Sequence, residues 1–90
     1  MRIKLEVTQQ DIDRGKRGEC DKCAVALALS RQLPQYEPSV GNLSGITLYD
    51  KESRLPIYEC DNTKKIQEFI SKFDAGEPVK PDTFSLFFKY

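Results

Sequence analysis

Ninety residues, 39% hydrophobic and 31% charged, suit one globular domain over residues 1–90 with a modest core, and are too few for two domains. Fourteen basic side chains balance fourteen acidic ones, seven against six in residues 1–45 and seven against eight in residues 46–90. Neither a basic nucleic-acid arm nor a dense acidic DNA-mimicking surface is therefore present. The chain has no histidine, which removes Ser-His and Cys-His nucleophile pairs, the usual general base near neutral pH, and every zinc site that needs His.

Residues 2–7, RIKLEV, alternate, with Ile3, Leu5 and Val7 on one face and Arg2, Lys4 and Glu6 on the other: the period-two pattern of a half-buried strand. Thr8 with Asp11 three residues on approximates a capping box, so a short helical turn is expected over residues 9–14, closed by Gly15 in the left-handed region. After Gly18, Asp21 or Glu19 is expected to open a helix through CAVALALSRQL. That helix is apolar nearly all round, as buried helices are, and ends at Pro34.

Residues 35–45 carry the turn formers Pro38, Gly41, Asn42, Ser44 and Gly45, with a short strand over Tyr36 to Val40. GITLYD and RLPIYEC read as two strands joined by a hairpin loop with Asp50 at the first position of a type I turn. Pro56 lacks an N–H and marks the second as an edge strand. Thr63 caps KKIQEFISKFDAG, whose Ile66, Phe69, Ile70 and Phe73 form an amphipathic stripe and whose Gly76 is a C-terminal glycine. In TFSLFFKY, Phe84, Leu86, Phe88 and Tyr90 alternate with Ser85, Phe87 and Lys89, and Phe87 gives the second face some apolar character. Helices and strands do not alternate strictly. The expected fold is therefore α+β: a small, mostly antiparallel sheet of four to five strands, the first and last as neighbours, with the two longer helices on one face.

The stretch RGKRGECDKC, residues 14–23, has three chemical readings. Cys20-x-x-Cys23 is the spacing of half a zinc site, and Cys60 would add a third thiolate; without His the fourth ligand would be a carboxylate or water. The same pair before a helix is where a redox-active thiol sits, though its Asp-Lys interior departs from the Gly-Pro of thioredoxins. Gly15 and Gly18 with Arg14, Lys16 and Arg17 before a helix N-terminus would suit a nucleotide-like anion, but Glu19 and Asp21 oppose it, and the run is neither a Walker loop nor a dinucleotide fingerprint. Against all three stands plain structure: turn glycines, solvated cations and a core cysteine. Tyr36, Tyr49, Tyr58 and Tyr90 would form either an aromatic interaction surface or amphipathic packing with wet hydroxyls.

Two stretches, DIDRGKRGECDKCAVALALSR (residues 11–31) and FISKFDAGEPVKPDTFSL (residues 69–86), resemble a loose group of small proteins from bacteriophages and some bacteria. Members carry a Gly-rich turn, then Cys-Pro-hydrophobic-Ala-Leu-Ala-Leu, then Phe-Asp-Ala-Gly-x-x-Val. Ala24 stands where the group has proline. The resemblance implies that Cys23 is the group's cysteine and Cys20 incidental, and that the chain is a phage or mobile-element accessory protein. It brings no catalytic residues with it. The expectation is a non-enzymatic protein that binds a host protein, such as a defence or regulatory factor. Sequestration of a small anion and a thiolate zinc module are the alternatives. Nucleic acid is not an expected partner, and homodimerisation through the Pro56 edge or Phe87 is a further option. With no apolar run long enough to span a bilayer and no signal-peptide core in MRIKLEVTQQ, the expected location is the cytoplasm, where the three cysteines stay reduced.

Overall fold

The alternation of Ile3, Leu5 and Val7 forms β1 (Arg2–Val7), and the elements that follow are α1 (Gln9–Arg14), α2 (Ala24–Gln32), β2 (Tyr36–Gly41), β3 (Gly45–Asp50), β4 (Pro56–Cys60), α3 (Lys64–Asp74) and β5 (Asp82–Phe87). The computed structural model describes residues 1–41 and 45–89. Asn42 and Ser44, expected in a turn, and Tyr90, expected on the last strand and among the tyrosines, lie outside the described residues. No helix among the described residues is long and apolar enough to cross a membrane.

The class is α+β, and among the described residues the pairing is antiparallel and the five strands divide into two sheets: β1-β5 and β2-β3-β4. β1 and β5 are neighbours, as their patterns predict, with Ile3 opposite Leu86 and Leu5 opposite Phe84. The two sheets meet at one point, where the backbones of Glu59 and Lys89 exchange hydrogen bonds of 2.7 and 2.8 Å at the outer side of β4. Past Phe88 the chain thus leaves β1 and reaches across to β4, which is why a single expected sheet appears as two.

The expectation of both longer helices on one face holds only in part. The stripe of α3 is buried as predicted, with Phe69 meeting Phe84 of β5 edge to face at 5.4 Å between ring centres. α2 instead spans the two far strands, β1 and β2; its own side chains hydrogen-bond the outer edge of β1, and the residues flanking it hydrogen-bond that of β2. On the β1 side the Gln32 amide acts as a short strand: its Oε1 accepts from Glu6 N–H at 2.7 Å and its Nε2 donates to the Lys4 carbonyl at 3.0 Å. Arg31 Nη2 donates to the Glu6 carbonyl at 2.7 Å. On the β2 side Val40 N–H donates to the Cys20 carbonyl and Tyr36 N–H to the Leu33 carbonyl, while Pro38, between them on the same edge, has no N–H to satisfy. Part of what a bare edge would expose is consumed in this way.

α2 can do this because Ala24, Ala26 and Ala28 are fully buried and bring its axis close to its neighbours, while Val25 and Leu29 fill the core. Its start differs from expectation. Neither Asp21 nor Glu19 caps it; the N-cap is Cys23, and the Glu19 carbonyl instead accepts from Lys22 and Cys23 N–H in a preceding turn. Gly15 also differs. Its backbone is extended (φ −65°, ψ 145°), not left-handed. It is glycine for space, since a Cβ there would fall 2.7 Å from Ala24 N and 2.8 Å from the Phe73 ring. The capping box forms: Thr8 Oγ1 accepts from Asp11 N–H, and Asp11 Oδ2 accepts from Thr8 N–H. Thr63 caps α3, and Gly76 just past its end has φ +79°. β4 begins at Pro56, not Arg54, because Arg54 adopts a left-handed backbone (φ 63°) that turns it out of the strand.

Candidate functional site

The glycine-rich loop between α1 and α2 is tied down at every turn. Lys16 N–H donates to the Lys22 carbonyl at 2.8 Å and closes the loop on itself. Gly18, with φ +74°, points its N–H at Asp74 Oδ1 on the last turn of α3, 3.1 Å away. The Gly18 N–H is thus engaged by the chain's own carboxylate. Of the three cations expected to bind a ligand, Arg17 lies with its guanidinium against Gly76, where a Cβ would stand, beside the C-terminus of α3. A cation there is favoured by the helix dipole. Arg14, in the last turn of α1, and Lys16 are exposed. The sequence places the three close together; all three are exposed, and Arg17 alone lies against the α3 C-terminus.

The cysteines divide. Cys20 is exposed and Cys23 buried, and both line one cavity of about 160 Å³ that also touches Glu19, Asp74, Val40 and Ile70. Burial pushes the Cys23 thiol above its ordinary value; the N–H groups of Ala26 and Val25 pull the other way, and the Asp74 carboxylate adds to the rise. Cys60 stands at the end of β4, away from this cavity, and donates to the Asp61 carbonyl at 3.3 Å. Burial pushes its thiol up as well. Among the described residues no three Cys, Asp or Glu side chains are gathered in a way that could hold a metal ion, so Cys20, Cys23 and Cys60 do not form a ready thiolate cluster.

Elsewhere the charged and aromatic groups are mostly engaged. A groove of about 340 Å³ beside α3 is lined by Lys65, Lys72 and Lys80 over Phe69 and Phe84. Lys65 is spent there on Asp82 (3.3 Å), the Thr83 carbonyl (3.0 Å) and the Phe84 ring. Tyr36 and Tyr58 meet edge to face at 5.7 Å and are half-buried against the core, which is the packing reading of the tyrosines.

The outer face of the β1-β5 sheet is different. Period two puts Arg2, Lys4 and Glu6 of β1 and Thr83, Ser85 and Phe87 of β5 on it, all exposed. Phe87 is 52% exposed, directly across from Arg2, whose guanidinium carbon is 5.7 Å from the ring centre. The alternation alone marks Phe87 as an outward aromatic. Its companions Arg2 and Lys4 become visible only once β1 is paired with β5 in register. Comparison with protein-family models, with curated proteins and with solved structures finds no match in any of the three.

Proposed function

We propose that this chain is a non-enzymatic binding protein that docks on another protein, and that it serves as a phage or mobile-element accessory factor engaging a host defence or regulatory protein in the cytoplasm. The observation that carries the reading is Phe87, a large half-exposed ring on the outer face of the β1-β5 sheet with Arg2 over it. Aromatic and arginine side chains dominate binding hot spots, and burying the half of this ring that is still exposed in a partner's pocket gains about 1 kcal/mol. Arg2 and Lys4 beside it ask for an acidic rim on the partner. The supporting fact from composition is the lack of histidine, which leaves little equipment for proton transfer near neutral pH.

The test compares wild type with Phe87→Ser and Arg2→Glu as baits in host lysate. The expectation is a single partner retained near stoichiometry by wild type and lost by both variants, with thermal midpoints unchanged because both positions face solvent. Equal capture by all three baits, or none by wild type in several hosts, would overturn it. Self-association through the same face would appear instead as a concentration-dependent mass that Phe87→Ser abolishes.

A further inference from the structure

We propose that Cys20 and Cys23 form a dithiol site that closes to a disulfide when the protein meets a peroxide. The placement of the two residues carries this, not the motif. Both residues line the same 160 Å³ cavity, and Cys20 is exposed while Cys23 is buried. The Glu19 carbonyl accepts from Lys22 N–H at 3.3 Å and Cys23 N–H at 3.0 Å, which winds residues 19–23 into one helical turn. Helical geometry separates Cα atoms three positions apart by about 5 Å, inside the roughly 4.4–6.8 Å range that disulfides span. The backbone on either side is anchored by the Lys16–Lys22 and Val40–Cys20 hydrogen bonds, which hold the two cysteines on one turn.

The chemistry balances with hydrogen peroxide as the oxidant. The exposed Cys20 thiolate attacks one peroxide oxygen and the O–O bond breaks. The hydroxide released takes up a proton as water, and Cys20 is left as a sulfenic acid. The Cys23 sulfur then attacks the Cys20 sulfur; the S–O bond breaks, and the departing hydroxide leaves as water with the proton from the Cys23 thiol. Two thiols are oxidised by two electrons, and one peroxide is reduced to two waters. Cys23 follows rather than leads because burial and the Asp74 carboxylate keep its thiol protonated. Cys60 stays out of the cycle, away from the cavity at the end of β4. The site is independent of the Phe87 face.

The test is to treat the reduced chain with hydrogen peroxide, alkylate with N-ethylmaleimide, cleave with trypsin and weigh the products. The intact mass is expected to fall by two hydrogens, and alkylatable thiols from three to one. Cleavage after Lys22 separates peptides 18–22 and 23–31, and they are expected to remain joined. Cys23→Ser places a favoured N-cap residue at the start of α2, so it folds, and it arrests Cys20 as a sulfenic acid that dimedone captures. Cys60→Ser is expected to leave the yield unchanged. Three thiols still alkylatable after peroxide, Cys20 passing to sulfinic acid with Cys23 intact, or a link to Cys60 or to a second chain would each overturn the proposal.

Discussion

Replacing Asp11 with Ala should be among the most damaging single changes to a polar side chain in this protein. Its carboxylate is 8% exposed, and one oxygen, Oδ2, accepts three hydrogen bonds: from Thr8 N–H (2.9 Å), Thr8 Oγ1 (3.0 Å) and Arg31 Nη2 (3.0 Å). Losing half of a capping box costs about 1 kcal/mol. The charged bond to Arg31 adds about 1.5 kcal/mol, the lower end of its range, because Arg31 is 48% exposed and regains water. The sum, about 2.5 kcal/mol, is a large share of the roughly 5–13 kcal/mol that a chain of this length holds in total. It corresponds to about 10–20 °C in thermal midpoint. In urea, followed by far-ultraviolet circular dichroism, the midpoint should fall by about 1–2 M at unchanged slope. Asp13→Ala, two residues on and exposed, should stay within about 0.5 kcal/mol of wild type. The pH dependence has a definite sign. Burial alone would raise the Asp11 carboxyl, but the hydrogen bonds from Arg31 and Thr8 outweigh it and hold it below its ordinary value. Its contribution is therefore fully present above the unfolded value of about 3.9 and is lost as pH falls through the lower folded value, a slope that Asp11→Asn should flatten. An Asp11→Ala variant within about 0.5 kcal/mol of wild type would refute the reasoning.

Three further outcomes are expected. Gly15→Ala should destabilise by about 1–3 kcal/mol through overpacking against Ala24 and Phe73, whereas Gly18→Ala, where a Cβ meets open space, should cost only the left-handed backbone penalty of about 1–2 kcal/mol; reversed ranks in urea titrations would contradict the packing account. Gln32→Ala should raise the hydrogen-exchange rate of the Glu6 amide, leaving amides in the β2-β3 ladder protected; an unaltered Glu6 rate would show that the side chain does not cover the edge. In native protein Cys20 should alkylate well before Cys23 and Cys60, whose raised thiol values also mean that their stabilising contribution is fully present below the unfolded value of about 8.5 and is lost as pH rises through the folded one; equal alkylation rates would count against this.

Most of the elements were legible because local chemistry sets them. The alternation around Leu5, the Thr8 and Thr63 caps, the Ile66-to-Phe73 stripe and the β1-β5 pairing all follow from residues near one another or from matching patterns. What escaped the sequence depends on contacts between distant segments. Gly15 looked like a conformational glycine, yet it is a spatial one, crowded by Ala24 and by Phe73, which lies 58 residues away. Cys23 was read as a helix residue, but with the Glu19 carbonyl turned back on the loop it becomes the cap. Gln32 and Arg31 gave no sign that they would finish a sheet edge. The candidate loop was legible as basic and glycine-rich, and its partner was not: nothing near RGKRG announces that Asp74 answers Gly18, or that Gly76 receives Arg17.

The way α2 meets β1 has a consequence for synthesis. The ladder that completes β1 comes from β5, on the far side of the sequence: the Met1 amino group and the Phe88 carbonyl that hydrogen-bond at one end of the sheet are 87 positions apart. Arg31 and Gln32 reach the opposite edge of β1 across only 25 to 28 positions. On the ribosome, β1 and α2 are both available long before β5 exists. A nascent strand of alternating Ile, Leu and Val is an invitation to pair with other chains. The Gln32 amide, offering a donor and an acceptor to one edge, lets a helix made early hold one side of that strand closed while the other waits for β5. Nascent chains stalled after α3 and carrying Gln32→Ala should accordingly aggregate more readily than those with glutamine, even where the two finished proteins are similarly soluble.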